Sequence, residues 1–178
     1  MIITAIRHTS VDVPSGICYG ITDVPLADIF GDEAALVLEQ LKNQHFDVVF
    51  SSPLSRCTTL VSRIFSERMH VVDYRLKELN FGDWEMQQWD SIFNSPEGKA
   101  WFNDYVNIAC PNGESMVNMI IRAKMFLDEL EEKRYKKIVL VTHAGFIRAL
   151  MCLLQQKTLE EAFQTPLTYG QILSFNFE

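Results

Sequence analysis

No run in this 178-residue sequence is long and apolar enough to span a bilayer, so no membrane partner is expected. The N-terminal stretch MIITAIRHT lacks a basic segment and a small-residue cleavage site, and nothing in it points to export. Cysteine is scarce: Cys18, Cys57, Cys110 and Cys152 lie far apart and make no CxxC pair. They fit reduced, mostly buried side chains in a cytoplasmic protein. Positive charge is also in deficit, with 16 Lys and Arg against 23 Asp and Glu and a net charge of −7. That balance argues against nucleic acid as the main partner, because a phosphate backbone needs a basic footprint. An anionic substrate would need a local positive pocket. HExxH, paired Cys/His clusters and a Walker glycine loop are all missing, so neither a metal nor another cofactor is expected. Repeats, low-complexity tracts and linkers are missing too, and a single domain over residues 1–178 is the simplest reading.

What is present is an alternation of strands and helices. Ile2–Ile6, Asp47–Ser51, His70–Asp73 and Lys137–Thr142 are apolar, β-branched runs with the length of buried strands, and 170–177 closes the chain as another. Asp32–Asn43, the segment opened by Ser52-Pro53, Glu114 to about Lys133 and Ala144–Gln155 carry helical apolar stripes. Serine suits the N-cap of the second helix and proline its first position. This pattern predicts a three-layer αβα sandwich around a mostly parallel sheet. A long connection, Thr9–Phe30, has the length of a functional loop. An aromatic-rich stretch, Leu79–Tyr105, follows the third strand.

The polar residues then fall into place. Arg7 and His8 follow the first strand, Ser51, Ser52 and Arg56 the second, and His143 the fourth. In a parallel sheet all three positions lie at the carboxyl ends, where open α/β sheets form ligand crevices. Taken singly, each is better explained as a surface or core residue; their joint placement favours a site. Arginine forks, imidazole and helix N-terminal amides together suit a phosphate monoester. His8 is then the candidate nucleophile, forming a phosphohistidine. Glu78 is the best-placed proton donor, with Asp83 and Glu85 as weaker competitors. His45 and His70 lack such partners and are read as structural.

The motifs resemble those of the histidine phosphatase superfamily, the phosphoglycerate-mutase-like proteins, over nearly the whole chain. IRHTS is similar to the family's RHG signature, SSPLSRC to its second arginine motif and LKELNFGDWE to its acid-bearing segment. PNGES and VTHAGFIRAL follow in the family's order. GICYGITDVPLA and FGDWE most resemble α-ribazole phosphatases of cobalamin synthesis. The resemblance implies a phosphorylated His8, a phosphate pocket of Arg7, Arg56 and His143, Glu78 as proton donor and no metal requirement. It implies a small phosphorylated substrate, with α-ribazole 5′-phosphate leading and another sugar phosphate, a phosphoprotein or a low-turnover binding role as alternatives.

Thr9 and Ser10 stand where the family usually has glycine and glutamate, and Pro14 lies near the position of an asparagine that commonly contacts phosphate. The expectation is that the Thr9 or Ser10 hydroxyl replaces that contact. Tyr19, Gly20, Thr22, Trp84 and Ala144 complete the expected substrate contacts, with Asp23 in the same loop. The remaining aromatics between Phe81 and Phe102 are read either as an apolar lid or as a satellite hydrophobic cluster. The oligomeric state is left open, a homodimer included.

Overall fold

The computed structural model describes residues 1–65 and 70–177. Strands β1 (Ile2–Arg7), β2 (Val48–Ser51), β3 (Val71–Val72), β4 (Lys137–Thr142) and β5 (Ile172–Asn176) form one sheet in the order β3-β2-β4-β1-β5. The first four are parallel, and β5 pairs antiparallel to β1. Helices α1 (Phe30–Gln40), α2 (Ser55–Ile64), α3 (Trp89–Asn94), α4 (Pro96–Asn103), α5 (Met116–Glu131), α6 (Ala144–Gln155) and α7 (Leu159–Gln164) connect them.

Strand periodicity sorts the core into two layers. Ile3, Ala5, Phe50, Ile138 and Leu140 point to the face covered by α5 and α6, where Met119, Phe126, Phe146 and Leu150 pack on them. Ile6, Val49, Val139 and Val141 point the other way, onto Val37 of α1 and Leu60 and Val61 of α2. Both faces are covered, which is why these strands are apolar throughout rather than alternating. The expected αβα sandwich is the observed architecture.

Local chemistry sets the helix ends. Ser115 caps α5: its hydroxyl accepts from the Asn118 amide at 3.3 Å while Asn118 Oδ1 accepts from the Ser115 amide at 3.0 Å. Such a box contributes about 1 kcal/mol. The start of α2 differs from the expectation. The helix begins at Ser55, not Pro53, and Leu54 stands at the cap without a side-chain bond. The Ser52 hydroxyl lies 2.8 Å from His143 Nε2 and accepts from the Leu54 amide only at 3.4 Å, ahead of the first helical residue. Asp23 serves the helix start instead, accepting from the Ser55 amide at 2.9 Å and from its hydroxyl at 2.7 Å. The aromatic-rich stretch contains two short helices, α3 and α4, which the apolar pattern did not resolve.

Candidate active site

The register of the sheet brings the strand ends together. Arg7 lies opposite Thr142 and Ser51 opposite Val141, so the residues that follow, His8, Ser52 and His143, emerge side by side. The His8 and His143 rings stand 5.1 Å apart, edge to face. The Nδ1–H of His8 can donate to the Thr9 carbonyl at 2.7 Å. That bond fixes one tautomer and leaves a lone pair on Nε2. Burial, with Arg56 and Arg7 adding to it, lowers the His8 pKa to about 3, so the ring is neutral at any ordinary pH. His143 is fully buried and is also held well below its usual value, by burial first and then by His8, Arg56, Arg122 and Arg7. Its Nε2 meets Ser52 Oγ, and its Nδ1 is buried without a partner.

Arg56 is the largest fully buried side chain. Its two terminal nitrogens donate to the carbonyls of Thr22, at 2.9 Å, and Gly20. Arg7 donates to the Leu167 carbonyl, and its guanidinium sits 4.0 Å above the Tyr169 ring. Among the described residues no ion pair includes Arg7 or Arg56. The Nε atoms of both are buried and unpartnered. A buried Arg56 and a half-buried Arg7 without a carboxylate are costly unless an anion joins them. Glu85 holds the loop that meets Arg56. It accepts from the amides of Gly20, Ile21 and Thr22 and from the Thr22 hydroxyl, at 2.6 to 3.1 Å. Burial opposes its charge, but these bonds outweigh burial and keep its pKa below the usual range.

Glu78 reaches the same place from the sheet edge. The chain leaves β3 through a 3₁₀ turn at Tyr74–Leu76. Arg122 of α5 then clamps it, donating to the carbonyls of Arg75, Lys77 and Glu78 while pairing with Glu114 at 3.0 Å. Thr142 Oγ1 ties the Leu76 carbonyl to the end of β4 at 2.7 Å. The Glu78 carboxyl accepts from its neighbour Leu79 at 2.9 Å and from the Gly145 amide at 3.1 Å, over the first turn of α6. A Cβ on Gly145 would lie 2.1 Å from Glu78 Oε1, so only glycine admits this carboxyl. Asp83 and Glu85 lie outside the cavity wall; Glu78 alone of the three carboxylates lines it.

That cavity holds about 650 Å³. Arg7, His8, Arg56, Glu78 and Tyr19 form its polar part, with Ala144 beside them. Ile17, Phe81, Trp89, Trp101, Phe102, Tyr105 and Phe163 form an apolar part. These rings touch one another from Phe81 through Trp89 and Trp101 to Phe102, with centroids 5.1 to 6.2 Å apart. The aromatic stretch is therefore partly wall and partly cluster.

Five expected substrate contacts are corrected. Trp84 does not line the cavity; it packs edge-on against Trp101 from the core side, buried by the helical insertion. Ser10 is not free for an anion, because its amide and hydroxyl both bond Glu33 at 2.6 Å. Thr9 acts through its carbonyl, and its hydroxyl is buried outside the cavity wall. Gly20 and Thr22 meet Arg56 through backbone carbonyls rather than facing the cavity.

Arg148 and Tyr169 are among the residues that the sequence reading missed. Arg148 lines the cavity from α6, four positions after Ala144 and so on the same helix face; that spacing was the available signal. It donates to the Ala162 carbonyl at 3.2 Å and lies 4.9 Å from the Phe163 ring. Tyr169, in the turn before β5, stacks on Arg7 and approaches His8, with ring centroids 5.6 Å apart. No local pattern could have announced it.

The profile of the histidine phosphatase superfamily (branch 1) matches residues 3–178. Phosphoserine phosphatase 1 of Hydrogenobacter thermophilus is 27% identical over 155 residues, covering 84% of this chain and 74% of its own. A probable phosphoglycerate mutase, GpmB of Yersinia pestis, is 36% identical over 143 residues, covering 76% of this chain and 64% of its own. The α-ribazole phosphatase of Shigella flexneri superposes with a TM-score of 0.91 at 25% identity, covering 100% of this chain and 91% of its own. The expected resemblance is matched, and family membership implies phosphatase or mutase chemistry. The chain belongs to the histidine phosphatase superfamily.

Proposed function

We propose that this protein is a phosphatase that hydrolyses a small phosphomonoester through a phosphohistidine on His8. The observation that carries the reading is a neutral His8 with its Nδ1–H on the Thr9 carbonyl, beside the buried Arg56 and the half-buried Arg7, neither of which has an ion-pair partner among the described residues. Arg7, Arg56 and His143 hold the phosphoryl oxygens. His8 Nε2 attacks phosphorus, forming the P–N bond as the ester P–O bond breaks. Glu78 gives its proton to the leaving oxygen. In the second half, Glu78 takes a proton from water, the water oxygen bonds phosphorus, and the P–N electron pair returns to Nε2. The charge stabilisation comes from the chain's own arginines, so EDTA is expected to leave turnover intact.

The apolar part of the cavity supports a leaving group with a flat ring, which stacks on aromatic side chains. Among such substrates α-ribazole 5′-phosphate, with its benzimidazole, is the leading one. Arg148 favours a second reading, a substrate with a carboxylate near its phosphate, such as phosphoserine. A panel of phosphomonoesters including both, assayed with EDTA on wild type and His8→Ala, tests the proposal. The expected result is turnover by wild type alone, with α-ribazole 5′-phosphate preferred. Loss of activity with EDTA, or activity in His8→Ala, would overturn the mechanism. Stoichiometric phosphate binding without turnover would make the chain a binding module.

A further inference from the structure

We infer that the Tyr19–Tyr169 hydroxyl pair is a hydrogen-bond donor to the phosphoryl group, in the role expected of Thr9 or Ser10. The inference rests on the proposed phosphate pocket. It begins from a gap: the Ser10 hydroxyl and amide are both spent on Glu33, and the Thr9 hydroxyl lies outside the cavity wall. The two tyrosines come from opposite ends of the chain: Tyr19 lines the cavity, and Tyr169 stands just outside its wall, against Arg7 and His8. The Tyr169 ring lies over Arg7 at 4.0 Å and beside His8 at 5.6 Å. The Tyr19 ring lies 5.6 Å from the Arg56 guanidinium. Their hydroxyl oxygens are 2.9 Å apart.

Two hydroxyls carry two protons, and one hydrogen bond between them uses one. The other O–H has no protein acceptor among the described residues. Its surroundings are cationic, so an incoming oxyanion is its natural partner. Burial and the bond to Tyr169 raise the Tyr19 pKa, outweighing Arg7 and Arg56. Tyr19 therefore keeps its proton across the working pH range. The shared bond also holds the Tyr169 ring on Arg7, linking the donor to the clamp beneath it.

The proton count gives a distinctive test. Removing either hydroxyl leaves the other with its proton to donate; removing both leaves none. Y19F, Y169F and the double variant are compared by kcat/KM and by the inhibition constant of inorganic phosphate. Each single substitution is expected to cost about twofold in both. The double is expected to cost about thirtyfold, the scale of a charge-assisted hydrogen bond and well above the product of the singles. A double variant within about threefold of wild type overturns the inference. So does a double equal to the product of the singles, or to one of them. Phosphate inhibition and phosphohistidine formation in wild type report the underlying pocket separately. If both are missing there, the pocket reading has failed and the inference fails with it.

Discussion

The two parts of the cavity are built in opposite ways. The polar part hangs on strand ends and helix starts: His8 after β1, Arg56 in α2, His143 and Gly145 around the start of α6. Its groups are held by backbone carbonyls and amides, the stiffest partners a chain has. The aromatic part hangs on α3, α4, the segments beside them that carry Phe81 and Tyr105, and a single ring from α7, packed ring on ring. Dispersion and shape hold it, and such packing tolerates exchange far better than a hydrogen-bonded charge does. The difference assigns the chemistry to the first part and the choice of leaving group to the second.

The sharpest way to break that division is to remove the acid. Glu78→Gln is expected to lower kcat by about 10² to 10⁴ on an alkyl phosphomonoester, whose leaving oxygen needs a proton. On a nitrophenyl ester, whose leaving group needs little help, the loss should be far smaller. Equal losses on both esters would remove Glu78 from the acid role. Gly145→Ala pushes on the same carboxyl through the 2.1 Å clash and should copy this leaving-group dependence at about a tenth of its size. A variant with unchanged ester ranking would show that the carboxyl position does not matter.

Substrate choice is the next comparison. Arg56→Lys removes the fork that meets two carbonyls and should lower kcat/KM about 10²-fold on every phosphomonoester alike. Trp89→Ala should cost about tenfold on a bulky aromatic substrate and little on phosphoserine, as expected for lost apolar contact. If Trp89→Ala lowers both equally, the aromatic part serves the fold and not the substrate.

This division also explains what could be read from the sequence. Strands, their carboxyl ends and the residues just after them are local patterns, which singled out Arg7, His8, Arg56 and His143 as candidates, while the choice of Glu78 leaned on the family resemblance. The same reading failed at Ser52 and Ser10, whose hydroxyls meet residues far away in the chain, His143 and Glu33. Trp84 and Trp101 sit in one aromatic-rich segment, and nothing local tells which faces the cavity. Tyr169, the Glu85 anchor and the Arg122 clamp depend on contacts across tens of residues. Pattern carries no such information.

The smallest expected effect is on stability. A His8 pKa of about 3 in the folded chain, against 6.5 unfolded, means that only the unfolded chain gains this proton as pH falls below 6.5. Stability is therefore unaffected by His8 above that pH and declines as pH drops towards 3. Between pH 7 and 5 the loss from His8 should be about 2 kcal/mol. Urea unfolding of wild type and His8→Gln at both pH values checks it: the variant should lose that much less. Parallel losses would mean that the ring is charged in the folded state.

The central claim is that His8 carries the phosphoryl group between the two halves of the reaction. Enzyme mixed briefly with substrate and quenched in alkaline denaturant, which spares phosphohistidine, can be digested and read by mass spectrometry. The account predicts a phosphoryl group on His8 that appears within one turnover and is absent from His8→Ala. Phosphate found on another side chain, or steady turnover with no modified residue, would contradict it.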